Sequence, residues 1–540
     1  MKKVKGLSVI LAAVMLSSCI FPQTGSVKAA EITGEESAEA PDAGNAAYAE
    51  AEQSEEITDD EEKSDDAAVH QKASATTDMT YISIGETCQE TFSAESTEKY
   101  YWFDLEKSGR LTLSANATGL SRLQYYIDDI GGDRLWSKRS SSTGSEKKIK
   151  TNETIDLTAG TYYLSVISSG GDGEFSFSLS SEDAGESFKE ENGGTDNDRG
   201  YANPVEFGQT YWGQLARNDN ADYYEFTLSA SSRLYLSARA QIKSLYLYLY
   251  DAGGKELWKK YASTDSAAKT LEADAEIDLT GGVYYLAVKS ASATGPTGSY
   301  SFCLSCTDAK ESFPETRGNL NNTLSSANAI SSDTIYKGQI AANDARDFYK
   351  FTVNESSQVT LDATAAIPWV YYHIYDSKGK EVWKQGVSWN KTIGYSSLTK
   401  KHTLSKGTYY FAVAQYSNYT GNYAFKMHIH NYKTTTQKAT TKKNGSIRKK
   451  CSCGHVVSLK TIYRPKKMTL SKTVYVYNGK KKKPSVKVTD SKGKVISRSN
   501  YKVYYSSGRK RVGKYKVTVK FKGKYKGRMS KTFRIKARKK

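Results

Sequence analysis

Rows of aromatic side chains are the feature of this sequence best suited to binding a ligand. Three stretches, each just before an Asp-x-x-Gly turn, alternate between two sets of side chains. One set is aliphatic or tyrosine in all three stretches, as packing inside a fold requires. The other set is aromatic in the second and third stretches, where it consists of Tyr246, Tyr248, Tyr250, Tyr371, His373 and Tyr375.

Two interpretations of these rows stay open at the level of sequence. Flat aromatic rows can stack on sugar rings or hold an extended polypeptide, and tyrosine offers contact area at low entropic cost. Alternatively, tyrosine is there because it favours strands, or a neighbouring domain covers the row. The first stretch has Gln124, Tyr126 and Asp128 at these positions and so lacks an aromatic row.

Catalytic motifs are missing from the sequence. It has no His-Glu-x-x-His and no Gly-x-Ser-x-Gly, and its six histidines are scattered. A catalytic triad assembled in space would escape such a scan, but the repeated architecture leaves no unique insert in which to place an enzyme. We therefore expect a non-catalytic protein.

One cysteine pair suggests metal or disulfide chemistry. Cys451-x-Cys453 lies near His455, with His428 and His430 upstream, and these side-chain types bind zinc. A lone Cys-x-Cys lacks the spacing and the second pair of common zinc sites, so a disulfide or free thiols are the alternatives. Six cysteines in 540 residues do not make a disulfide framework, and we expect each domain to fold on its own core.

The elements that must position these residues occur three times, about 120 residues apart, which is typical of a string of whole domains. Each copy has an alternating strand (99–105, 222–228 and 347–353), then the Asp-x-x-Gly turn, then a Gly-x-Tyr-Tyr strand. Period-two alternation predicts strands with one buried face. Strand-length runs separated by Gly, Asp, Ser and Asn predict antiparallel β-sandwiches of about 100 residues.

An acidic, asparagine-rich lead-in precedes the second and third copies. The second copy contains Glu186-Ser-Phe-Lys-Glu-Glu-Asn192 and Asn218-Asp-Asn-Ala-Asp-Tyr-Tyr-Glu-Phe226, and the third contains Asn343-Asp-Ala-Arg-Asp-Phe-Tyr-Lys-Phe351. These motifs resemble the bacterial pre-peptidase C-terminal domain. The first copy is more divergent, with Lys99 where the others have aspartate. The resemblance covers roughly residues 79–430 and implies jelly-roll-like sandwiches that act as binding or spacer modules.

The same resemblance implies a calcium site, because acidic residues of the lead-in and the Asp-rich turn bind Ca²⁺ in collagen-binding members of that family. Carboxylate and amide oxygens are the hard donors that this ion prefers. A solvated acidic linker is the alternative. The matching positions in the second copy are Glu186, Glu190, Asn192, Asp219 and Asp222. Those that remain in the third copy are Glu311, Glu315, Asp344 and Asp347. Arg346, a basic residue, intrudes on this acidic set.

The N-terminus is typical of an export signal. A basic start precedes an apolar run, 7–16, that is too short to span a bilayer. Two cleavage sites compete: Leu16-Ser-Ser-Cys19 resembles the lipobox of bacterial lipoproteins, with Cys19 as the lipidated residue, and Val27-Lys-Ala29 fits ordinary signal peptidase. No later segment is apolar enough for a transmembrane helix in the mature chain. We expect a secreted or cell-surface protein.

The net charge of +18 is distributed unevenly. Residues 31–78 carry about 16 acids against two bases and almost no large apolar side chain, which predicts a disordered spacer. Residues 433–540 carry about 37 bases against one acid, Asp490, and should attract polyanions. Export excludes cytoplasmic nucleic acid. Anionic wall polymers, acidic host glycans and the protein's own spacer are the candidate partners, and a solvated face is the alternative.

Together these observations predict an all-β chain. Three tandem jelly-roll-like β-sandwiches (79–182, 183–308 and 309–432) follow a signal peptide (1–30) and a disordered acidic spacer (31–78). A basic linker with Cys-x-Cys (433–467) then leads to a small basic Ig-like β-domain (468–540), whose run 470–480 is similar to Ig-like repeats of clostridial surface proteins.

The expected function is adhesion to, or binding of, carbohydrate or extracellular protein at the cell surface. The basic module would attach to anionic cell-wall polymers. The alternative is a spacer or accessory scaffold for a separately encoded secreted hydrolase. Ca²⁺ is the cofactor that the sequence favours.

Overall fold

The computed structural model describes residues 79–538 except 267–268, 293–294 and 391–393. The predicted signal peptide, the candidate lipidation site Cys19 and the acidic spacer lie outside the described residues. Within them the chain is all-β, as predicted, and its one short helical turn is a 3-10 turn at Arg498–Asn500. The described part contains no helix long and apolar enough to cross a membrane.

The first jelly-roll-like sandwich packs a five-stranded sheet, in the order β1-β3-β8-β5-β6, against a four-stranded sheet, β2-β9-β4-β7. Its core contains Tyr101, Phe103 and Leu105, the predicted inward set of the first alternating strand. Its strands are β1 (Thr80–Tyr81), β2 (Thr87–Phe92), β3 (Glu98–Leu105), β4 (Gly109–Thr118), β5 (Arg122–Asp129), β6 (Arg134–Ser141), β7 (Ile149–Leu157), β8 (Gly160–Ser168) and β9 (Gly173–Asp183).

The second sandwich repeats this arrangement with sheets β10-β12-β18-β14-β15 and β11-β19-β13, where both β16 and β17 pair with β13. Tyr224, Phe226 and Leu228 are buried in its core, as predicted. Its strands are β10 (Asn203–Pro204), β11 (Thr210–Leu215), β12 (Ala221–Leu228), β13 (Ser232–Ala240), β14 (Ser244–Asp251), β15 (Glu256–Ser263), β16 (Leu271–Glu272), β17 (Ala275–Leu279), β18 (Gly282–Ser290) and β19 (Gly298–Asp308).

The third sandwich has sheets β20-β22-β27-β24-β25 and β21-β28-β23-β26. Tyr349, Phe351 and Val353 point into its core. Its strands are β20 (Asn328–Ala329), β21 (Ile335–Ile340), β22 (Arg346–Val353), β23 (Ser357–Ala365), β24 (Trp369–Asp376), β25 (Glu381–Ser388), β26 (Ser396–Leu404), β27 (Gly407–Gln415) and β28 (Gly421–Ile429).

A small antiparallel sheet follows, where the sequence predicts only a basic linker. It consists of β29 (Tyr432–Gln437), β30 (Gly445–Cys451) and β31 (Val456–Ile462). Most of its side chains are exposed, so its sequence shows little of the alternation of apolar and polar residues that predicts a strand. Backbone pairing holds it together. At Gly445 an added Cβ would lie 2.2 Å from the carbonyl oxygen of Gln437, so the chains approach more closely there than a side chain allows.

The basic C-terminal domain pairs β32 with β34 and orders the other four strands β33-β37-β36-β35. Val517, Val519 and Phe521 of β36 are buried while Lys514, Lys516 and Lys520 are exposed, so this strand presents a lysine face to solvent. The strands are β32 (Pro465–Leu470), β33 (Val474–Val476), β34 (Val486–Asp490), β35 (Tyr501–Tyr505), β36 (Gly513–Phe521) and β37 (Arg528–Lys536).

Successive sandwiches meet through a buried aspartate. Between the first and second, Asp156 accepts two hydrogen bonds from Arg110 of its own sandwich (2.8 and 3.2 Å) and one from Thr297 Oγ1 of the next (2.7 Å). The amide of Asn218 in the second sandwich reaches back to Thr158 Oγ1 of the first (2.8 Å).

The contacts between the second and third sandwiches are the same at equivalent positions. Asp278 accepts two bonds of 2.9 Å from Arg233 and one of 2.8 Å from Thr420 Oγ1, and Gln339 Nε2 adds another at 3.0 Å. Asn343 reaches back to Thr280 (2.7 Å), as Asn218 reaches Thr158. One polar contact is therefore used twice to build the array.

Candidate functional site

A cluster of buried carboxylates lies inside the second sandwich, beside its junction with the first. One oxygen atom each of Glu190, Asp219 and Asp222 lies within 4.8 Å of the others. Glu190 comes from the lead-in, Asp219 from the turn after β11, and Asp222 from β12. Asp222 is 0% exposed and Asp219 is 1% exposed. The solvated linker that the sequence left open is therefore wrong for these three residues.

Asp196 is an acid of this cluster that the sequence prediction missed. It lies in the Gly- and Asp-rich loop before β10, is fully buried, and accepts a hydrogen bond from Asn203 Nδ2 on one oxygen (2.8 Å). The signal that could have found it is the repeat itself. Asn321 stands at the equivalent position of the third copy, at the offset that also relates Glu190 to Glu315.

The cluster holds six buried carboxylate oxygen atoms that accept no hydrogen bond. A buried polar atom without a partner is rare and costs free energy, the more so when it carries charge. Six oxygens from negatively charged groups match the donor type and the number, about six to eight, that Ca²⁺ takes in proteins. The atoms are Glu186 Oε1, Glu190 Oε2, Asp196 Oδ1, Asp219 Oδ1, Asp219 Oδ2 and Asp222 Oδ1.

Burial and mutual repulsion make these acids hard to ionise without a cation. Burial raises the pKa of Glu186 to about 7 and that of Asp219 to about 8. Burial, together with the charges of Glu190 and Asp196, raises the pKa of Asp222 well above its usual value. At neutral pH the cluster must therefore either retain protons or bind positive charge.

A chain of tyrosine hydroxyls holds Asp222 in place. Tyr300 Oη donates to Asp222 Oδ2, and the hydroxyl groups of Tyr224 and Tyr300 lie 2.6 Å apart. Gly213, paired with Tyr300 on the neighbouring strand, leaves room for them, since an added Cβ would lie 2.4 Å from Tyr300 Oη. The second oxygen of Asp222 is left without a hydrogen bond.

The third sandwich repeats the cluster in a weaker form. Glu315, Asp344 and Asp347 again bring their oxygens within 4.8 Å of one another, and the hydroxyls of Tyr349 and Tyr423 lie 2.6 Å apart beside Asp347. Burial raises the pKa of Glu311 to about 7, and burial and the charge of Asp344 raise that of Asp347. Asn321 replaces the acid found at Asp196, so this cluster has one negative charge fewer.

In the first sandwich an ion pair stands at the position equivalent to Asp222. Lys99 takes the place of Asp222, and its Nζ lies 3.2 Å from Glu90 Oε2. Glu90 occupies the position of Gly213, and Phe175 that of Tyr300, because the strand registers correspond. This sandwich is neutral where the other two are acidic.

The predictions for Asn192, a member of the calcium set, and for Arg346, which was expected to intrude on the third set, are both wrong. Asn192 is exposed, and its side-chain oxygen lies against Gly160 of the first sandwich, 2.7 Å from where a Cβ would be. It therefore does not join the acid cluster. Arg346 does not intrude on the third cluster either, because strand alternation turns it outward over the ring of Phe348, 5.8 Å from the ring centroid.

The aromatic row of the second sandwich lies on the outer face of its five-stranded sheet. Tyr246, Tyr248 and Tyr250 are half-buried and follow one another with ring centroids 5.7 Å apart, while Leu245, Leu247 and Leu249 between them are buried. Two neighbouring tyrosines extend the row. Tyr261 lies 4.9 Å from Tyr246, and Tyr223 lies 6.2 Å from Tyr250. The ammonium groups of Lys259 and Lys289 lie over these rings.

The row of the third sandwich is partly different from the prediction. Tyr371 and Tyr375 are half-buried on the outer face, and Trp369 and Tyr416 extend it as exposed rings. His373 lies in the row but is buried, with Nδ1 2.7 Å from Glu381 Oε2, and burial lowers its pKa. His373 is therefore not an exposed contact residue.

Comparison with known proteins gives partial likenesses. No protein-family model and no curated protein matches the sequence. Among solved structures, the chain is similar to the pre-peptidase C-terminal domain of collagenase from Bacillus anthracis, with 14% identity, 19% of this chain and 97% of that one covered, and a TM-score of 0.16.

Two other similar structures cover more of the chain. One is a tetra-tandem repeat in the extending region of a large adhesion protein, with 11% identity, 85% of this chain and 99% of that one, and a TM-score of 0.14. The other is a triple jelly roll from an archaeal virus, with 8% identity, 63% and 87% covered, and a TM-score of 0.15. At such low scores, function has to be argued from the chain's own residues.

Proposed function

We propose that this chain is an exported, non-catalytic bacterial surface protein that binds carbohydrate or extracellular protein through its second and third sandwiches. The observation that carries the proposal is the aromatic row on the outer face of two successive sandwiches. The inner face of each strand is filled by core residues, while the outward rings stay partly exposed, although Tyr248 and Tyr250 also pack against Ala221 and Ala287 on the outer face. The first sandwich has no such row.

The chemistry of the row supports a ligand with flat rings or an extended backbone. Stacked tyrosines present contact area that loses little conformational freedom on binding. Lys259 and Lys289 place positive charge beside the rings of the second sandwich. They would favour ligands that also carry acidic groups, such as acidic glycans or acidic segments of matrix proteins.

The test is retention of the full chain on an array of glycans and matrix proteins. We expect the variant with Tyr246→Ser, Tyr248→Ser and Tyr250→Ser to lose retention while its melting temperature stays close to that of the wild type, because these side chains are half-exposed. The matched control is Tyr126→Ser on the corresponding strand of the first sandwich, which should retain binding. Equal retention by the triple variant would exclude the row as the binding surface.

We further propose that the acid clusters of the second and third sandwiches bind one Ca²⁺ each. In the second sandwich Glu186, Glu190, Asp196, Asp219 and Asp222 would supply the oxygens, and the ion would neutralise the charge that burial leaves uncompensated. Support comes from the unpartnered oxygens, since a hydrogen-bonded acid network would need no ion. We expect about two calcium ions per chain in equilibrium dialysis.

The basic C-terminal domain is proposed to attach the protein to anionic cell-wall polymers. Its lysine face on β36 is exposed, and Asp490 is the only acid from residue 433 to the end. Attraction between exposed charges weakens with ionic strength. High salt should therefore strip the protein from isolated walls, whereas retention in high salt would indicate the lipid anchor at Cys19.

The alternative function, a spacer for a separately encoded secreted hydrolase, is favoured by one observation. The repeated aspartate junctions would set a defined distance between the ends of the array, whatever the faces bind. The same array experiment separates the two functions, because a spacer should give no retention even with the aromatic rows intact.

A further inference from the structure

Two histidines and two cysteines converge where the third sandwich meets the small sheet β29–β31. His428 lies in β28 and His430 directly follows it, while Cys451 ends β30 and Cys453 lies in the next turn. The two segments are far apart in sequence. One nitrogen or sulfur atom of each residue lies within 4.8 Å of the other three.

The separations among these atoms match those of ligands around one tetrahedral ion. The atoms His428 Nε2 and His430 Nδ1 are 3.0 Å apart, His430 Nδ1 and Cys453 Sγ are 3.5 Å apart, and His428 Nε2 and Cys451 Sγ are 3.9 Å apart. For zinc with bond lengths of about 2.0 Å to nitrogen and 2.3 Å to sulfur, a tetrahedron requires about 3.3 Å between nitrogens and about 3.6 Å between nitrogen and sulfur.

The two pairs are held by different local structure. His428 and His430 stand two residues apart in an extended segment, so their side chains point to the same face. Cys451 and Cys453 lie in a turn in which the amide of Gly454 donates to the carbonyl oxygen of Cys451 (3.0 Å). This turn brings both thiols to the histidine pair, although the Cys-x-Cys spacing argues against zinc in a sequence read alone.

The surroundings orient the donor atoms for a metal. Nδ1 of His428 lies 2.7 Å from Asp333 Oδ1, which fixes that nitrogen as the donor and leaves Nε2 with its lone pair toward the other three groups. The thiols are available as well, since Cys451 and Cys453 are free rather than joined in a disulfide. Cys451 is buried, so at least one ligand is shielded from water.

We propose that His428 Nε2, His430 Nδ1, Cys451 Sγ and Cys453 Sγ form a structural zinc site. Two nitrogens and two sulfurs make one of the ligand sets that Zn²⁺ takes in structural sites, and four protein ligands leave no open position for substrate. Zn²⁺ displaces the thiol protons, so each sulfur binds as a thiolate.

The zinc would clamp the small sheet to the third sandwich. Apart from the chain connection and the histidine–cysteine contacts, an ion pair between Lys449 of β30 and Glu355, both partly exposed, joins the sheet to that sandwich. Exposed pairs contribute little to stability. A metal that cross-links β28 to β30 would therefore fix the orientation of the small sheet, and of the basic C-terminal domain that follows it, relative to the third sandwich.

The experiment uses the full chain, purified under reducing conditions without chelators. We expect about one zinc ion per chain by elemental analysis. Replacement by Co²⁺ should give the visible absorption bands of a tetrahedral ion and a thiolate-to-cobalt charge-transfer band. The Cys451→Ser, Cys453→Ser variant should lose both the zinc and these bands.

Two control variants make the assignment specific. Cys303→Ser with Cys306→Ser removes the other cysteine pair, and His455→Ala removes a histidine that stacks on His430 without belonging to the set. Both should keep the zinc and the cobalt spectrum. Removing zinc from the wild type should also make 432–462 more sensitive to proteases, with the sandwiches unaffected.

Several outcomes would overturn the proposal. One is a chain without stoichiometric zinc that also gives no tetrahedral cobalt spectrum, because His430 would then simply donate its proton to His428. Another is a Cys451–Cys453 disulfide in the exported protein. Because the wild-type cobalt titration needs no variant, a misfolded cysteine variant would leave the proposal testable.

Discussion

The first and second sandwiches place opposite charges at the same point of the same fold. In the first, Lys99 pairs with Glu90 and the site is neutral. In the second, Asp222 is buried beside Glu190 and Asp219, with a glycine in place of the glutamate and a tyrosine in place of Phe175. The charge at this point is therefore half-buried with an internal partner in the first sandwich, and fully buried without one in the second. The difference suggests that calcium binding depends on three positions, not on the sandwich as a whole.

The largest expected effect comes from transplanting the ion pair. The variant with Gly213→Glu, Asp222→Lys and Tyr300→Phe reproduces the first sandwich, including the smaller ring that makes room for the glutamate. We expect the number of bound calcium ions to fall from two to one per chain, as measured by equilibrium dialysis. Asp222→Asn, a more conservative change that keeps an acceptor for Tyr300, should lose the same ion.

One control accompanies this swap. Lys99→Met in the first sandwich should leave both ions bound. If the swapped chain still binds two, the acid cluster is not the calcium site.

The pH dependence should be the next largest effect. The raised pKa values of Glu186, about 7, and Asp219, about 8, mean that the metal-free folded state holds protons that the unfolded state has released. The stabilisation of the metal-free folded state by these bound protons is fully present below pH about 4 and is lost as the pH rises towards 8. Protons compete with calcium for the same oxygens, so its affinity should be more than tenfold weaker at pH 6 than at pH 8.

Calorimetric titration at the two pH values checks this expectation. The rise in melting temperature on adding calcium should likewise be larger at pH 8 than at pH 6. An affinity that is the same at both values would show that the acids are ionised without the metal.

The smallest expected effect distinguishes the two clusters from each other. The third cluster has Asn321 where the second has Asp196, and calcium affinity increases with the number of charged ligands. Asn321→Asp should therefore strengthen calcium binding by the third cluster about tenfold, or about 1.4 kcal/mol, and Asp196→Asn should weaken that of the second by a similar factor. Two-site calorimetric titrations would show the affinity of the third cluster rising in one variant and that of the second cluster falling in the other. Equal calcium affinities of the two clusters in the wild type would contradict the prediction that the second binds more tightly.

The sequence predicts the sandwiches well because one face of each strand is core. Leu245, Leu247 and Leu249 alternate with tyrosines, and that alternation alone assigns their burial. The same alternation places Asp222 on the inward face with Tyr224 and Phe226, but it assigns no ligand, so Asp222 is predicted as a calcium ligand only through a family resemblance.

Three features lay beyond the sequence for physical reasons. Asp196 sits in a polar loop in which nothing marks one acid as buried. The sheet β29–β31 has both faces largely exposed, so it lacks the pattern that period-two reasoning needs. The sequence names His428 and Cys451 as candidate zinc ligands, but it does not show that they meet, because their strands end at the same place only in the folded chain.

The aspartate junction occurs only between the three described sandwiches. The third sandwich has Thr403 at the position of Asp278, so it lacks the aspartate that would contact a further sandwich. The first sandwich has Thr91 at the position of Gln214, so it lacks the glutamine that reaches back to a preceding one. The contact therefore joins the three described sandwiches. Because the Asp278 junction joins the second and third sandwiches, their aromatic rows lie at a set interval. A repetitive polymer that occupies one row would meet the second at a high effective concentration, so two weak surfaces could together hold it tightly.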